Sequence, residues 1–256
     1  MFGLLKENGP FLVKARTLPD KDTYLEKNKY GWNRAAHTLY IDSPVGTGFS
    51  FADKLHSNDT NVSIDLANVI FQFLKLFPAY IGKANATLQR PPKVYLFGES
   101  YGGTVVTDLA KYISSVENLN DVLDLVGIGI GNGFISPRYQ STMYSDFLTS
   151  LALIDSKKSE LLKFIEERLI ITIENEQLLD AYVLWQQELK EITDTLGIAN
   201  FYNMAHNNPD ITERNFWQFL QQPRVRKALH IGQRPFSDGE LVSKNWMVVQ
   251  IIPSTI

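Results

Sequence analysis

Apolar positions along this chain follow two rhythms, and the change from one to the other falls near residue 140. Before it, short apolar runs alternate with helical spacing. His37-Thr-Leu-Tyr-Ile-Asp42 is a β-rich run and predicts a strand; the turn-rich loop Ser43-Pro-Val-Gly-Thr-Gly-Phe-Ser50 follows. Between Asp65 and Phe77, the side chains Leu66, Val69, Ile70, Phe73, Leu74 and Phe77 recur at helical spacing, and Pro78 stops the pattern. Lys93-Val-Tyr-Leu-Phe97 predicts a second strand, Thr104 to Val116 a helix, and Leu123-Asp-Leu-Val-Gly-Ile-Gly-Ile130 a buried strand running into Gly131-Asn132-Gly133. Strand, helix, strand, helix, strand is the order of a doubly wound, mostly parallel sheet. Such sheets bind ligands beyond the carboxyl ends of their strands, where the 43–50 loop, the turn at 98–102 and Gly131–Gly133 fall. After residue 140 strand signals vanish. Ser159–Ile173 and Gln177–Leu196 predict charged amphipathic helices, and Asn215–Leu229 continues the style with a break at Pro223. The expected organisation is an α/β core over 1–139, a helical insertion or cap over 140–235, and a return toward the core over 236–256.

Composition narrows the function classes. The chain has 256 residues, 44% of them apolar, and a net charge of -3. That balance gives no footprint for nucleic acid or an anionic membrane surface, and no apolar run reaches transmembrane length. Cysteine is absent, which removes disulfides, thiolate chemistry and cysteine-ligated zinc and leans toward a reducing compartment. Three glycosylation sequons, at Asn58, Asn61 and Asn85, lean toward secretion and a glycoprotein. Met-Phe-Gly-Leu-Leu-Lys-Glu at the start lacks the basic and apolar regions of a signal peptide.

The chemistry centres on Gly98-Glu99-Ser100-Tyr101-Gly102, between the strand at 93–97 and the helix at 104–116. Gly-x-Ser-x-Gly in that context is the nucleophile elbow of the α/β-hydrolases. A serine on so sharp a turn has strained backbone angles, and flanking glycines remove Cβ clashes. The helix N-terminus behind it favours the negative charge of acyl transfer. Such a serine needs an Asp and then a His later in the chain. Only His206 and His230 follow Ser100. His206 lies in a polar loop and His230 ends a helical run, so the structural reading of both is preferred. His37 and His56 precede the serine and read as structural. Glu99 stands beside the nucleophile, and Glu7 lies on the turn Lys6-Glu-Asn-Gly-Pro10, where a glutamate is ordinarily solvated. If the two meet, they can share a proton, and a protonated pair can donate to a substrate carboxylate at acidic pH.

Glu7-Asn-Gly-Pro10, Tyr40-Ile-Asp-Ser-Pro-Val-Gly-Thr-Gly-Phe-Ser50, Phe97-Gly-Glu-Ser-Tyr-Gly-Gly103 and Gly129-Ile-Gly-Asn-Gly133 together resemble the serine carboxypeptidases, in the family's order. Arg224-Val-Arg-Lys-Ala-Leu-His-Ile-Gly232 with Phe236-Ser-Asp-Gly239 resembles the segment closing the helical insertion in the vitellogenic-like branch. The resemblance covers residues 1 to about 245. It implies an α/β-hydrolase fold with a helical cap and no cofactor or metal. It implies that Ser100 is the nucleophile and that the Tyr101 backbone N–H is one oxyanion donor. It also implies that Glu99 and Glu7, with Tyr101 nearby, recognise the C-terminal carboxylate of a peptide. The implied reaction releases one C-terminal residue through an acyl-enzyme at acidic pH. Peptides with a free C-terminus are the implied partners, and the family's setting is secreted or lysosomal/vacuolar.

The departures set further expectations. The family's glycine-rich oxyanion segment precedes the equivalent of Met1, its catalytic Asp and His lie beyond residue 256, and its insertion cysteines are missing here. The chain therefore reads as incomplete at both termini and nearly inactive by itself. The alternatives are a non-catalytic protein that binds peptide carboxylates, an acyltransferase, and another α/β-hydrolase using His206 or His230. The sequence carries no signal of oligomeric state.

Overall fold

The computed structural model describes residues 1–15, 23–55, 58–77, 80, 91–117, 122–198, 201–202 and 211–237. These residues divide into two compact units, 1–53 with 192–237 and 54–191.

The first unit opens with a short π-helix, Gly3–Glu7, and an antiparallel hairpin of β1 (Phe11–Ala15) and β2 (Thr23–Lys27). Sequence reasoning gives no strand at either place. Two later helices, α7 (Ile211–Gln221) and α8 (Pro223–Ala228), complete it. Pro223 does interrupt the helical run: it sits at the start of α8, where its missing N–H costs nothing. Leu5, Phe216, Phe219, Leu220 and Val225 form the buried core, joined by Phe2, Phe49, Trp217 and Phe236. Gln222 and Arg224 bind the start of β2 through the Thr23 hydroxyl (2.6 Å) and carbonyl (3.1 Å).

The strand expected at 37–42 does not form. Its polar side chains find partners outside any ladder instead. Tyr40 donates to Asn8 Oδ1 at 2.8 Å, and Asp42 accepts the Phe49 N–H at 3.1 Å. The loop after it is fixed by a two-way backbone bridge between Gly48 and Ser237, 2.8 Å each way. A Cβ on Gly48 (φ +58) would fall 2.1 Å from the Asp42 carboxylate, so the turn requires glycine.

The second unit contains the strand–helix–strand element that carries the serine. Helix α1 (Asp59–Leu76) starts a turn and a half earlier than its apolar spacing predicts, because the Asn58 side chain caps it by accepting the Asn61 N–H. Strand β3 (Lys93–Glu99), helix α2 (Gly102–Ser115) and strand β4 (Asp124–Gly131) follow, and β3 pairs with β4 in parallel. Helix α2 packs on both strands and on α1, burying Val106, Leu109 and Ile113. The register places Tyr95 opposite Gly127, Phe97 opposite Gly129 and Glu99 opposite Gly131. The Phe97 ring occupies the space a Cβ on Gly129 would need, 2.3 Å away. The glycines of β4 are thus the floor on which the aromatics of β3 lie.

Past β4 every described element of this unit is helical. These are α3 (Pro137–Gln140), α4 (Tyr144–Ser150), α5 (Ser156–Glu174) and α6 (Leu178–Leu196), whose last turn extends into the first unit. Leu169 and Ile173 of α5 pack on Ala181 and Leu184 of α6.

Candidate active site

The turn between β3 and α2 has the geometry that its sequence requires. Ser100 adopts φ 54, the left-handed region that a non-glycine residue rarely enters. Three backbone bonds hold it there. Its N–H donates to the Gly131 carbonyl (3.0 Å), and its carbonyl accepts from Gly103 (2.9 Å) and Phe134 (2.8 Å). The elbow and the end of β4 are therefore one hydrogen-bonded assembly.

The flanking glycines are not equivalent. A Cβ on Gly98 would lie 1.9 Å from the Gly102 carbonyl oxygen, so that position admits only glycine. Gly102 has open space around its missing Cβ, contrary to the steric expectation for both flanks. The second tight position is Gly103, 3.0 Å from the Gly133 backbone and 3.1 Å from Ile130. It lets α2 lie close on β4.

Tyr101 is the residue from which α2 starts. Its hydroxyl donates to Asp59 Oδ1 at 3.4 Å, tying the elbow to the first turn of α1. Burial, and then the Asp59 charge and hydrogen bond, raise the Tyr101 pKa well above the ordinary phenol value. The phenol stays protonated and remains a donor. Burial, followed by the same Asp59 charge, also raises Asp108, against a smaller opposing effect of Lys111. Sequence reasoning missed Asp59, because nothing local links it to a tyrosine 42 residues away.

It also missed the clamp behind the elbow. The Gln140 side chain accepts from Ile135 N (2.8 Å) and Ser136 N (2.9 Å) and donates to the Gly133 carbonyl (2.6 Å). Thr104 donates to the Phe134 carbonyl, and the Phe134 ring lies 5.4 Å from Trp185 of α6. The loop after β4 is thereby fixed on both sides of the residue that bonds Ser100.

Glu99 is exposed at the end of β3, and Ser100 and Tyr101 are half-buried beside it. Glu7 is exposed and closes the π-helix of the first unit. His37 and His230 also belong to the first unit, whereas His56 and His206 lie outside the described residues. His230 follows α8 with φ 55, and its N–H donates to the Lys227 carbonyl at 3.2 Å, a helix-terminating arrangement. Of the sequons, Asn58 caps α1, Asn61 lies exposed in its first turn, and Asn85 is outside the described residues. Among the described residues, no group of His, Cys, Asp or Glu side chains could hold a metal ion, and no helix is long and apolar enough to cross a membrane.

A parallel strand pair joined by a helix, with a left-handed serine at the first turn, defines an α/β-hydrolase. The crystal structure of Kex1(delta)p, a prohormone-processing carboxypeptidase from Saccharomyces cerevisiae, has the same fold. It matches 100% of this chain and 57% of its own, with a TM-score of 0.65 and 24% identity. The chain belongs to the serine carboxypeptidase family, whose model matches residues 1–253 and so runs beyond the last motif near residue 245. Among its relatives is the human probable serine carboxypeptidase CPVL, 33% identical over 95% of this chain and 51% of the relative. The venom serine carboxypeptidase of Apis mellifera is 32% identical over 99% and 54%, and the vitellogenic carboxypeptidase of Aedes aegypti 31% identical over 94% and 50%. The chain thus spans about half the length of the curated relatives it matches.

Proposed function

We propose that Ser100 is the acyl-accepting nucleophile of a serine carboxypeptidase, acting on peptides with a free C-terminus at acidic pH. The observation that carries this reading is the left-handed Ser100 at the N-terminus of α2, held to Gly131 and Phe134. Ser100 Oγ attacks the scissile carbonyl, the Tyr101 N–H stabilises the oxyanion, and the C-terminal amino acid leaves. Glu99 and Glu7 are the residues that the family resemblance gives to recognition of the terminal carboxylate. The domain reading stays an α/β core over 1–139, a helical cap over 140–235 and a return toward the core over 236–256. A secreted or lysosomal/vacuolar setting fits the reading, and Asn58 and Asn61 are then glycan acceptors.

The family resemblance gives the base's role to none of the four histidines of the chain. The test follows release of the C-terminal residue from a blocked dipeptide at about pH 5, beside the same dipeptide amidated at its C-terminus. Release from the free acid, lost in Ser100→Ala and unchanged in His230→Gln, is expected. Release that persists in Ser100→Ala, or that prefers the amide, contradicts the proposal.

A further inference from the structure

Two carboxyl groups lie inside the helical layer of the second unit, away from the chemistry proposed for Ser100. Glu166 on α5 is 5% exposed and Glu188 on α6 is 0% exposed. Glu166 is well provided for: it accepts the Ser145 N–H at 2.8 Å and the Ser145 hydroxyl at 2.6 Å. Each of its two oxygens therefore already has a donor. Glu188 is the opposite case. As a carboxylate, neither of its oxygens has a hydrogen-bond partner, and its charged neighbour is Glu166. A buried, unpaired carboxylate facing a like charge is among the most costly groups a protein can hold. One proton removes both faults. The Glu188 O–H then donates to the Glu166 carboxylate, and the second negative charge is gone.

We propose that Glu188 and Glu166 hold one proton between them, and that this acid pair makes the helical layer most stable in acidic surroundings and progressively weaker as the pH rises. The other groups around the pair leave this intact. Tyr144, at the start of α4, lies beside Glu188; burial first, and the Glu188 charge second, raise its pKa against a smaller opposing effect of Trp185, so it stays neutral. Lys163 senses Glu166 but is exposed and bound to Asp146 at 2.9 Å. Lys158 and Glu191 pair with each other at 2.9 Å, between α5 and α6. Arg138 and Glu174 form a further exposed pair.

The direction of the pH dependence follows from the two states. In the unfolded chain a glutamate ionises in its ordinary range, near 4.3. In the folded chain burial, and then Glu166, push Glu188 up to about 9. Between those values unfolding releases a proton, so stability is full below the ordinary range and declines until about pH 9. The layer reaches the elbow: Trp185, on the same helix as Glu188, lies 5.4 Å from the Phe134 ring, and the Phe134 N–H holds the Ser100 carbonyl. The acid pair does not depend on the role of Ser100, and its test involves no substrate.

The test is thermal melting of the whole chain from pH 4.5 to 9, beside Glu188→Gln and Glu188→Leu. The wild type should lose about 3–5 °C per pH unit across this interval. Glu188→Gln keeps a donor for Glu166 without the charge. It should match the wild type at pH 4.5 and melt well above it at pH 8. Glu188→Leu should show the same flattened profile. A wild-type profile flat from pH 5 to 8 overturns the proposal. So do variants that keep the wild-type slope, or two variants that both fail to fold at pH 4.5, where a protonated glutamate and an uncharged replacement should be equivalent.

Discussion

Ser100 depends on its glycine neighbours unequally. Gly98→Ala places a methyl 1.9 Å from a backbone carbonyl, which cannot swing away as a side chain can. We expect a loss of more than about 2 kcal/mol in denaturant unfolding, with the Ser100 turn disrupted. Gly102→Ala meets open space at the first position of α2. It should be neutral or stabilise by up to about 1 kcal/mol, because alanine is the better helix former. Equal losses in the two variants would contradict this account of the turn. The elbow was legible in the sequence because a strained serine and a close contact at Gly98 fall within one short motif between a strand and a helix. The anchor from Tyr101 to Asp59 was not, since an aspartate at a helix start reads equally well as a solvated first-turn charge. Gln140 was hidden for the same reason: its clamp on Gly133, Ile135 and Ser136 leaves no mark in the composition around it.

At the scale of elements, apolar spacing located helices well and their first turns poorly. The start of α1 is set by the Asn58 cap, a polar contribution that an apolar pattern does not record. The segment at 37–42 has strand-like residues, yet a strand needs a ladder partner, and Tyr40 and Asp42 are held by side-chain bonds instead. The hairpin of β1 and β2 escaped notice because its exposed strands hold little of the alternation that marks a half-buried sheet. In β4 the repeated glycine makes room for Tyr95 and Phe97, a role the apolar pattern of the buried strand does not record. This makes a direct prediction. Gly129→Ala puts a methyl 2.3 Å from the Phe97 ring, so the ring must leave the strand surface. Unfolding in urea should show a loss of about 1–3 kcal/mol at unchanged m. No change in the midpoint would remove the packing role assigned to the β4 glycines.

For the whole molecule, the motifs carried the family reading and the fold class, and the parallel β3–β4 pair with α2 across it agrees with them. The buried acid pair was invisible, because Glu166 and Glu188 stand in helices so rich in charge that both read as solvent-facing. Only the packing of α4, α5 and α6 turns them inward. The central claim is that this chain presents Ser100 as an acyl acceptor. It is tested most directly by intact and peptide-level mass spectrometry after incubation with a p-nitrophenyl ester of a blocked amino acid. So good a leaving group makes acylation faster than deacylation, so the acyl-enzyme accumulates. The account predicts one acyl group per chain on Ser100, with p-nitrophenolate released in equal amount, and no adduct in Ser100→Ala. Acylation elsewhere in the chain, or equal acylation of Ser100→Ala, would contradict it.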